Sequence, residues 1–417
     1  MSLALMAYAA ATGLLEPFAG GVLRARARRG KEDAARLGER LGRAGQSRPD
    51  GPLVWLHGVS VGESLSLLPL VEALRARRPD LGLLVTSGTV TSAEVLAQRL
   101  PPGVIHQFAP VDAPGAVRRF LDHWRPRAGL LVESELWPNL IRTARARGVR
   151  LALLSARMTD ESAAGWGRAP GAARQLLSAF DLVLPQDEAT EARLRCLGAQ
   201  VGPRLNLKLV GAPPAVDAAQ LKALRKGVAG RKTVLAVSTH AGEEPIVAQA
   251  ARDAGADLLI VAVRHPERGP PVAAELAAAG FAVARRGAGE PLTAKTTAYV
   301  ADTLGELGLL LSVADIAVMG GSFLPGIGGH NPLEPARLGV PVVTGRHHFN
   351  AADVYGEMFA RVAAIEAEDA AALTRHLKGL LTYPQIARRI GEAGLDYAAS
   401  KAQALDAALE LLDPLLP

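Results

Sequence analysis

The feature that most constrains this chain is a repeated alternation of short apolar runs with stretches of helical character. In the first half of the chain, the apolar runs predict strands over residues 53–56, 82–86, 129–132, 151–154 and 182–184. Three intervening stretches predict helices over residues 65–77, 92–100 and 137–147. Continuous apolar strands with helices between them are typical of a parallel sheet that is covered on both faces.

The alternation lapses over residues 201–230, where Gly211, Ala212, Pro213 and Pro214 have the character of a turn. It then resumes, with strands predicted over residues 234–237, 258–263, 298–301, 316–319 and 340–343. The sequence therefore predicts an α/β protein with two doubly wound, Rossmann-like domains facing a cleft. The expected division is an anchor and basic neck over 1–48, a first domain over 49–212 and a second over 213–417. Ligands of such folds bind at the carboxyl ends of the strands.

The N-terminal segment predicts contact with a membrane. Residues 1–23 are mostly apolar, and residues 24–48 carry nine basic and three acidic side chains, a net charge of +6 that equals that of the whole chain. Basic residues directly after an apolar segment favour an anionic membrane surface, whereas a nucleic-acid-binding protein usually spreads its basic residues over a folded domain. Two arrangements fit the segment equally well, namely a helix that spans the membrane and a helix that lies on it, and the third and least favoured is a buried helix of a soluble protein.

Three polar clusters in the first half follow predicted strands or precede the turn. They are His57 to Glu63, Glu133 to Asn139, and Asn206-Leu207-Lys208. Glu63 opens a predicted helix, where an acid either compensates the helix dipole or faces a ligand. The single cysteine, Cys196, excludes an intramolecular disulfide and a cysteine-based zinc finger.

In the second half, four successive strands are each followed by Gly, Ser, Thr, Arg or Asn residues. The clusters begin at Ser238, Arg264, Asp302 and Gly320, and the last continues through residues 328–335. Glycines, helix N-termini and an arginine can bind phosphate, so four clusters at one sheet edge predict a nucleotide site. The chain has no P-loop, which argues against a P-loop ATPase.

Together these motifs, in this order, resemble the lipid A 3-deoxy-D-manno-octulosonic acid (Kdo) transferases, over almost the whole chain. The resemblance implies a glycosyltransferase of the GT-B type that moves Kdo from CMP-Kdo to a lipid A precursor, with inversion and without a metal or other cofactor. By position, Glu63 matches the family's general base, Glu133 its second essential acid, and Lys208 a lysine that assists the transition state. The segments that match the CMP-binding residues are Val263, Arg264, His265, Gly305, Glu306, Leu307, Asn331, Pro332, Leu333 and Glu334.

The chain departs from the family pattern at Ala241, where an acid is frequent, and at Leu209-Val210, where an aromatic residue and an acid are frequent. The alternative interpretations are another GT-B enzyme that uses a UDP-sugar, either a transferase or a 2-epimerase, and a membrane-tethered binding protein without catalysis. The expected partners are CMP-Kdo, a lipid A precursor (lipid IVA) and an anionic membrane surface, and no nucleic acid. The expected location is the cytoplasmic face of a bacterial inner membrane, in lipopolysaccharide biosynthesis.

Overall fold

The computed structural model describes residues 2–211, 214 and 216–417. The chain divides into two compact units, of which the first comprises Met1–Gly211 with Lys401–Pro417 and the second Ala212–Ser400. The boundary expected at residues 212 and 213 falls on residues outside the described ones.

The first unit is built on a sheet of six strands, all paired in parallel, within the described residues. The strands are β1 Leu53–His57, β2 Gly82–Ser87, β3 Ile105–Phe108, β4 Ala128–Val132, β5 Arg150–Ala156 and β6 Leu182–Pro185. Their order in the sheet is β3-β2-β1-β4-β5-β6, the order of a Rossmann fold. The five predicted strands are present. The sequence did not predict β3, because it is short and carries His106 and Gln107 among its apolar residues.

The helices of the first unit cover the two faces of this sheet. They are α1 Leu3–Ala27, α2 Leu37–Arg40, α3 Val61–Arg77, α4 Val90–Arg99, α5 Pro114–Trp124, α6 Pro138–Ala146, α7 Asp160–Gly167, α8 Pro170–Leu177 and α9 Glu188–Cys196. Helices α3 and α4 begin earlier than predicted because Ser60 and Thr89 cap them: each side chain accepts a hydrogen bond from a backbone N–H of the first turn.

The second unit contains a sheet of seven parallel strands in the described part of the chain. They are β7 Thr233–Thr239, β8 Leu258–Val263, β9 Val283–Arg285, β10 Ala298–Ala301, β11 Ile316–Met319, β12 Val342–Gly345 and β13 Ala364–Ala367. Their order is β13-β12-β11-β7-β8-β10-β9. The prediction missed β9 and β13, and β12 begins two residues late because Pro341 has no N–H for the ladder. The two parallel sheets confirm the predicted fold class.

The helices associated with the second unit follow its strands along the chain. They are α10 Ala218–Val228, α11 Glu243–Asp253, α12 Gly269–Ala278, α13 Leu307–Leu311, α14 Leu333–Ala336, α15 Ala352–Ala360, α16 Ala370–Thr382 and α17 Pro384–Leu412.

The C-terminal residues differ from the expected division of the chain. Residues 401–417 belong to the first unit, whereas the sequence predicted a second domain that runs to residue 417. Leu405, Leu409 and Leu412 of α17 are buried in the same apolar cluster as strands β1 and β4 of the first sheet. Because this cluster would otherwise expose its apolar side chains to water, the end of α17 serves as a covering helix of the first unit.

The N-terminal segment 1–48 also belongs to the first unit, although the sequence predicted a separate anchor and neck. Glu16 of α1 accepts hydrogen bonds from Gly115 N at 2.7 Å and Arg119 Nη2 at 3.0 Å, and so caps helix α5. Asn139 Nδ2 donates to Thr12 Oγ1 at 2.9 Å. These contacts fix α1 along the surface of the unit.

Part of the basic neck is used by the fold itself. Arg26 and Arg40 pair with the buried carboxylate of Glu32, at 2.8 and 3.3 Å. Arg36 pairs with the buried Glu39 at 2.8 Å, and Glu39 also accepts a hydrogen bond from Phe108 N at 2.7 Å. These arginines therefore neutralise internal acids, which reduces the charge that the neck can offer to a membrane.

Candidate functional site

The switch point of the first sheet lies between β1 and β4, where the strand order reverses. At such a point the loops after two neighbouring strands diverge and leave a crevice for a ligand. The loop after β1 leads to Glu63, and the loop after β4 begins with Glu133. The structure thus brings two of the predicted catalytic residues to one edge of one sheet.

The carboxylate of Glu63 is held by the start of its own helix. Its Oε2 accepts hydrogen bonds from Val59 N at 2.6 Å and Ser60 N at 3.4 Å, and its Oε1 accepts one from Ser60 Oγ at 2.9 Å. In return, Glu63 N donates to Ser60 Oγ at 3.3 Å, which completes a capping box. A Cβ at Gly58 would lie 3.0 Å from the Cβ of Glu63 and from Val132 Cγ2, so glycine permits this tight loop.

Glu63 is half-buried, and this changes its acidity. Burial raises the pKa of its carboxyl above the usual range, and the neighbouring Glu135 and Glu133 carboxylates raise it further, while the hydrogen bonds from Val59 and Ser60 oppose the shift. A carboxylate has about four lone-pair positions, so the three observed hydrogen bonds leave it room to accept another proton. Glu63 therefore has two roles available, as a helix cap and as a base.

Glu133 and Lys208 form an ion pair beside Glu63. Lys208 Nζ lies 2.6 Å from Glu133 Oε1, and the side chain of Glu133 is buried while that of Lys208 is 46% exposed. Glu133 has a φ of 59°, a left-handed conformation that is costly for a residue with a Cβ. Such strain at a ligand-binding edge is frequently retained for function, and here it turns the chain directly after β4.

Lys208 is placed by residues that follow a different strand. It lies on the one-turn 3₁₀ helix Leu207–Leu209, where Asn206 Oδ1 accepts a hydrogen bond from Lys208 N at 3.1 Å. Leu207 is fully buried, and its N–H donates to Ser155 Oγ at 3.3 Å at the end of β5. The side chain of Lys208 then passes over Gly62, where an added Cβ would lie 3.9 Å from Lys208 Cε. Sequence reasoning found Lys208 only through the family resemblance, since its contact with Glu133 joins residues far apart in the chain.

Buried polar side chains lie between the first sheet and Glu135, the second acid of the Glu133 cluster. Trp55 Nε1 donates to Thr86 Oγ1 at 2.8 Å, and Thr86 Oγ1 lies 2.9 Å from His57 Nδ1. His57 Nε2 faces Glu135 Oε2 at 3.5 Å, and that oxygen also accepts a hydrogen bond from the indole N–H of Trp137. A hydrogen on Nε2 is the arrangement that suits a carboxylate at this nitrogen. The hydrogen bond to Glu135 holds Trp137, which is 40% exposed, at the same edge of the sheet as Glu63.

In the second unit, the switch point lies between β7 and β11, and one carboxylate ties their loops together. Glu243 is 1% exposed, and its Oε2 accepts hydrogen bonds from His240 N at 3.0 Å and Gly321 N at 2.7 Å. Its Oε1 accepts from Ser322 N and Phe323 N, both at 3.0 Å. Backbone donors therefore occupy both oxygens, which assigns Glu243 a structural role in shaping the site.

Several of the predicted nucleotide-binding residues meet near this edge. Val263 ends β8, Arg264 N donates to Thr239 O at 3.1 Å, and the Arg264 side chain is exposed and has no carboxylate partner within the described residues. His265 is also exposed. Burial raises the pKa of Glu334, whereas Arg337 and Arg264 lower it, so Arg264 lies near enough to act on that carboxyl. Asn331 Oδ1 accepts from Leu333 N at 3.0 Å and so caps the turn formed by Pro332 and Leu333.

In the predicted cluster 305–307, unlike at Arg264, the polar side chain already has partners within the protein. Glu306 accepts hydrogen bonds from Arg286 Nε at 2.6 Å, from Arg286 Nη2 and from Thr303 Oγ1. Its carboxylate is therefore engaged within the protein. Gly305 has a φ of +80° and is exposed, and Leu307 begins α13. A ligand at this turn would therefore meet the exposed Gly305 rather than the Glu306 side chain.

Sequence reasoning did not predict the pairing of His240 with His330. Their Nε2 atoms lie 2.8 Å apart, and their ring planes are nearly parallel, at 10°. Both residues occur in the polar clusters, but they are separated by 90 positions, and no pattern in the sequence indicates that they touch. Arg264 lies close enough to both imidazoles to lower their pKa.

Comparisons with known proteins identify the family of the chain. The family profile described as 3-deoxy-D-manno-octulosonic-acid transferase (kdotransferase) matches residues 35–210. The chain is 38% identical to a 3-deoxy-D-manno-octulosonic acid transferase of Bordetella pertussis, over 90% of each chain. It is 40% identical to a probable mitochondrial 3-deoxy-D-manno-octulosonic acid transferase of Arabidopsis thaliana, over 79% of this chain and 77% of that protein.

Among solved structures, a glycosyltransferase from Rickettsia africae shares the fold. Its TM-score is 0.60 at 11% identity, and the match covers 88% of this chain and 99% of that chain. At this identity the likeness concerns the fold alone.

Proposed function

The chain belongs to the family of 3-deoxy-D-manno-octulosonic acid transferases, and from that premise we propose that it moves Kdo from CMP-Kdo to a lipid A precursor, lipid IVA, with inversion. The family membership makes the chain a glycosyltransferase. The observation that carries the finer proposal is the meeting of Glu63, Glu133 and Lys208 at the switch point of the first sheet.

Glu63 is the proposed general base. In an inverting transfer, a base removes the proton of the acceptor hydroxyl on the face opposite to the departing nucleotide. A carboxyl whose pKa is raised by burial and by neighbouring carboxylates holds a proton more strongly than an ordinary glutamate, which suits a base that works near neutral pH. The capping hydrogen bonds keep its orientation fixed, so little reorganisation accompanies the proton transfer.

Glu133 and Lys208 are proposed to act as a unit. The buried carboxylate holds the ammonium group in one place, and the exposed part of Lys208 is free to approach charge that develops on the substrates. Because Lys208 is partly exposed, solvent screens the pair, and its value for folding is small. The pair is therefore better explained by the need to position the ammonium group than by stability.

The second unit is proposed to bind the donor. Arg264, which has no carboxylate partner within the described residues, is a suitable partner for the phosphate of CMP-Kdo. The carboxyl of Glu334, whose pKa Arg264 lowers, is proposed to accept a hydrogen bond from a sugar hydroxyl of the nucleotide. Val263, His265, the turn 305–307 and the segment 331–333 complete the proposed CMP site.

The enzyme is proposed to lie on the cytoplasmic face of the inner membrane, with α1 in the plane of the surface. Helix α1 has 25 residues and is long and apolar enough to cross a membrane by composition. Its buried Leu5 and Leu23, with Thr12 and Glu16, face the first unit, whereas an apolar set faces outward and is exposed: Leu3, Met6, Leu14, Leu15, Phe18 and Val22. Spanning would detach this docked face and place Glu16 in hydrocarbon, which is costly. An interfacial helix keeps both faces satisfied.

The charge that remains beside α1 suits an anionic surface. After the internal pairs with Glu32 and Glu39, six basic residues of the neck have no acidic partner among the described residues: Arg24, Arg28, Arg29, Lys31, Arg43 and Arg48. Of these, Arg48 donates hydrogen bonds to backbone carbonyls of the first unit. Basic side chains next to an apolar helix face strengthen binding to anionic lipids.

A donor-competition assay tests the proposed function. Purified enzyme is incubated with CMP-Kdo and a tetraacyl lipid A precursor, and the products are read by mass spectrometry. We expect a mass increase by one or more Kdo units, inhibition by CMP, and no inhibition by UDP. Inhibition by UDP without inhibition by CMP would instead favour a UDP-sugar transferase or 2-epimerase.

A further inference from the structure

The pair of imidazoles in the second unit has a defined proton arrangement. The Nε2 atoms of His240 and His330 are 2.8 Å apart, the ring centroids are 5.1 Å apart, and the planes differ by 10°. This is the geometry of two nearly coplanar rings that share one hydrogen. Two protonated nitrogens cannot face each other at this distance, so one ring must donate and the other accept.

Which ring accepts is set by the backbone. The backbone of Ser238 raises the pKa of His330 as a hydrogen-bond acceptor would, which favours an N–H on the ring nitrogen that is not turned to His240, Nδ1. Its Nε2 is then the acceptor, and His240 Nε2–H is the donor. Ser238 has a φ of 55°, and a Cβ at Gly320 would come within 2.7 Å of its carbonyl oxygen, so the local backbone is shaped around this group. His240 Nδ1 makes no hydrogen bond to any of the described residues.

The charged groups that act on His240 and His330 are cationic, except for the carboxylate of Glu243. Burial lowers the pKa of His240 most strongly, His265, Arg264 and Arg268 lower it further, and Glu243 opposes them. Burial, with His240 and Arg264, lowers the pKa of His330 to about 4. Glu243 is therefore the one nearby carboxylate that favours a positive charge on His240, and four backbone N–H groups already bind its oxygens, while Glu244 is paired with Arg268 at 2.6 Å. Without a ligand, the pair is neutral at pH 7.

An anion beside Arg264 would change this balance. An opposite charge within about 4–6 Å typically shifts the pKa of a neighbouring group by about 1–3 in favour of the charged form. His240 is the less buried ring and has the unused Nδ1, whereas burial lowers the pKa of His330 to about 4 and keeps that ring neutral. Protonation would therefore fall on His240 Nδ1 and would leave the shared hydrogen in place.

We propose that the His240–His330 pair takes up a proton when the phosphate of the nucleotide binds beside Arg264, so that His240 donates a hydrogen bond to that phosphate from Nδ1. This inference rests on the proposed function. As the bond between the sugar and the phosphate breaks, its electron pair stays on the phosphate oxygen, next to the His240 imidazolium, while Glu63 takes the proton of the acceptor hydroxyl. His330 is a positioning residue, because it acts through His240.

The test measures proton uptake on CMP binding. Calorimetric titrations of the full chain with CMP, near pH 7 and in two buffers that differ in ionisation enthalpy, give the number of protons taken up. We expect the wild-type protein to take up more protons than His240→Asn, by at most about one. The phosphate of CMP, whose second pKa is about 6, contributes equally in both proteins. His376→Asn, on α16 of the same unit, is the matched control and should behave as wild type.

The sign of the pH dependence follows from the same uptake. Because the bound form holds the extra proton, CMP affinity should weaken as pH rises through the pKa of the bound His240, by at most about tenfold per pH unit. His240→Asn should remove this slope, and His330→Asn should reduce it.

A measurement on the unaltered protein avoids reliance on folded variants. In protein labelled with ¹⁵N-histidine, the two ring nitrogens of His240 should move from neutral to imidazolium values when CMP is added. Equal proton uptake in wild type and His240→Asn, or neutral nitrogen shifts in the CMP complex, would refute the proposal while leaving the CMP site intact. A wild-type protein that does not bind CMP would refute the proposed function as well.

Discussion

Glu63 carries two roles in the structure, and a pair of substitutions separates them. Glu63→Gln removes the base and keeps the size of the side chain and most of its capping contacts. Ser60→Ala keeps the base but removes the hydroxyl that accepts from Glu63 N at 3.3 Å and donates to Glu63 Oε1 at 2.9 Å. The two variants perturb the same capping box from its two ends, so each is the control for the other.

The expected magnitudes differ in kind. Loss of an N-cap serine typically costs about 0.5–2 kcal/mol of stability, and we expect about 1 kcal/mol for Ser60→Ala. In Glu63→Gln the amide oxygen can still accept from Val59 N, and Ser60 Oγ can turn to accept from the amide, so we expect a loss of at most about 1 kcal/mol. Loss of a general base costs about 10²–10⁴-fold in rate, which corresponds to about 3–5 kcal/mol of transition-state stabilisation.

Turnover of CMP-Kdo with a tetraacyl lipid A precursor, the melting temperature and the CMP affinity are measured on both variants. Glu63→Gln should melt almost normally, bind CMP normally and turn over very slowly. Ser60→Ala should melt lower and remain active. The pH at which its turnover rate begins to rise should be higher than in wild type, because the hydrogen bond from Ser60 that is lost had lowered the pKa of Glu63. Near-normal turnover of Glu63→Gln, or equal loss of turnover in both variants, would remove Glu63 as the base.

Lys208→Met and Glu133→Gln should each reduce turnover. The double variant should lose little more turnover than either single variant, because the two side chains act through one contact. If the two losses instead multiply in the double variant, the proposal that Glu133 and Lys208 act together is refuted. Phe18→Ser with Leu15→Ser should reduce binding to anionic vesicles without changing turnover of a soluble acceptor, and unchanged binding would place the anchor elsewhere. Burial and Arg36 lower the pKa of His106 to about 4. The unfolded chain therefore binds a proton that the folded chain does not, and the first unit should lose stability as pH falls from about 6.5 to 4, by at most about 1.4 kcal/mol per pH unit. His106→Gln should flatten this pH dependence of the unfolding free energy in urea titrations.

Much of the fold could be predicted because parallel sheets have a distinctive composition. Buried strands such as β1 and β11 need apolar side chains on both faces, and this need is local in the sequence. Strand β3 was not predicted because tertiary contacts satisfy its polar residues: Ser87 Oγ lies 2.9 Å from His106 Nε2, and Gln107 Oε1 accepts from Trp124 Nε1 at 2.8 Å. A pattern of polarity cannot register partners that lie elsewhere in the chain.

The candidate site was predicted in part, because strand ends at one edge of a sheet must lie together. The positions of Glu63 and Glu133 follow from that rule and from the order of their strands. The roles of Glu243 and Glu306 did not follow, since a carboxylate at a helix start looks the same in sequence whether it meets a ligand, the backbone or an arginine. The structure showed that Glu243 binds four backbone N–H groups and that Glu306 pairs with Arg286.

The sequence alone determined the two α/β halves, the polar edge of each sheet and the family. Each of these depends on the types of residues that stand close together in the sequence. Only the tertiary structure decided that α17 returns to the first unit, that α1 is docked by Glu16, that Lys208 meets Glu133, and that His240 meets His330. The physical reason is the same in every case. Each contact joins segments far apart in the chain, and its geometry depends on how helices and strand ends pack in three dimensions rather than on any local preference of the residues that form it.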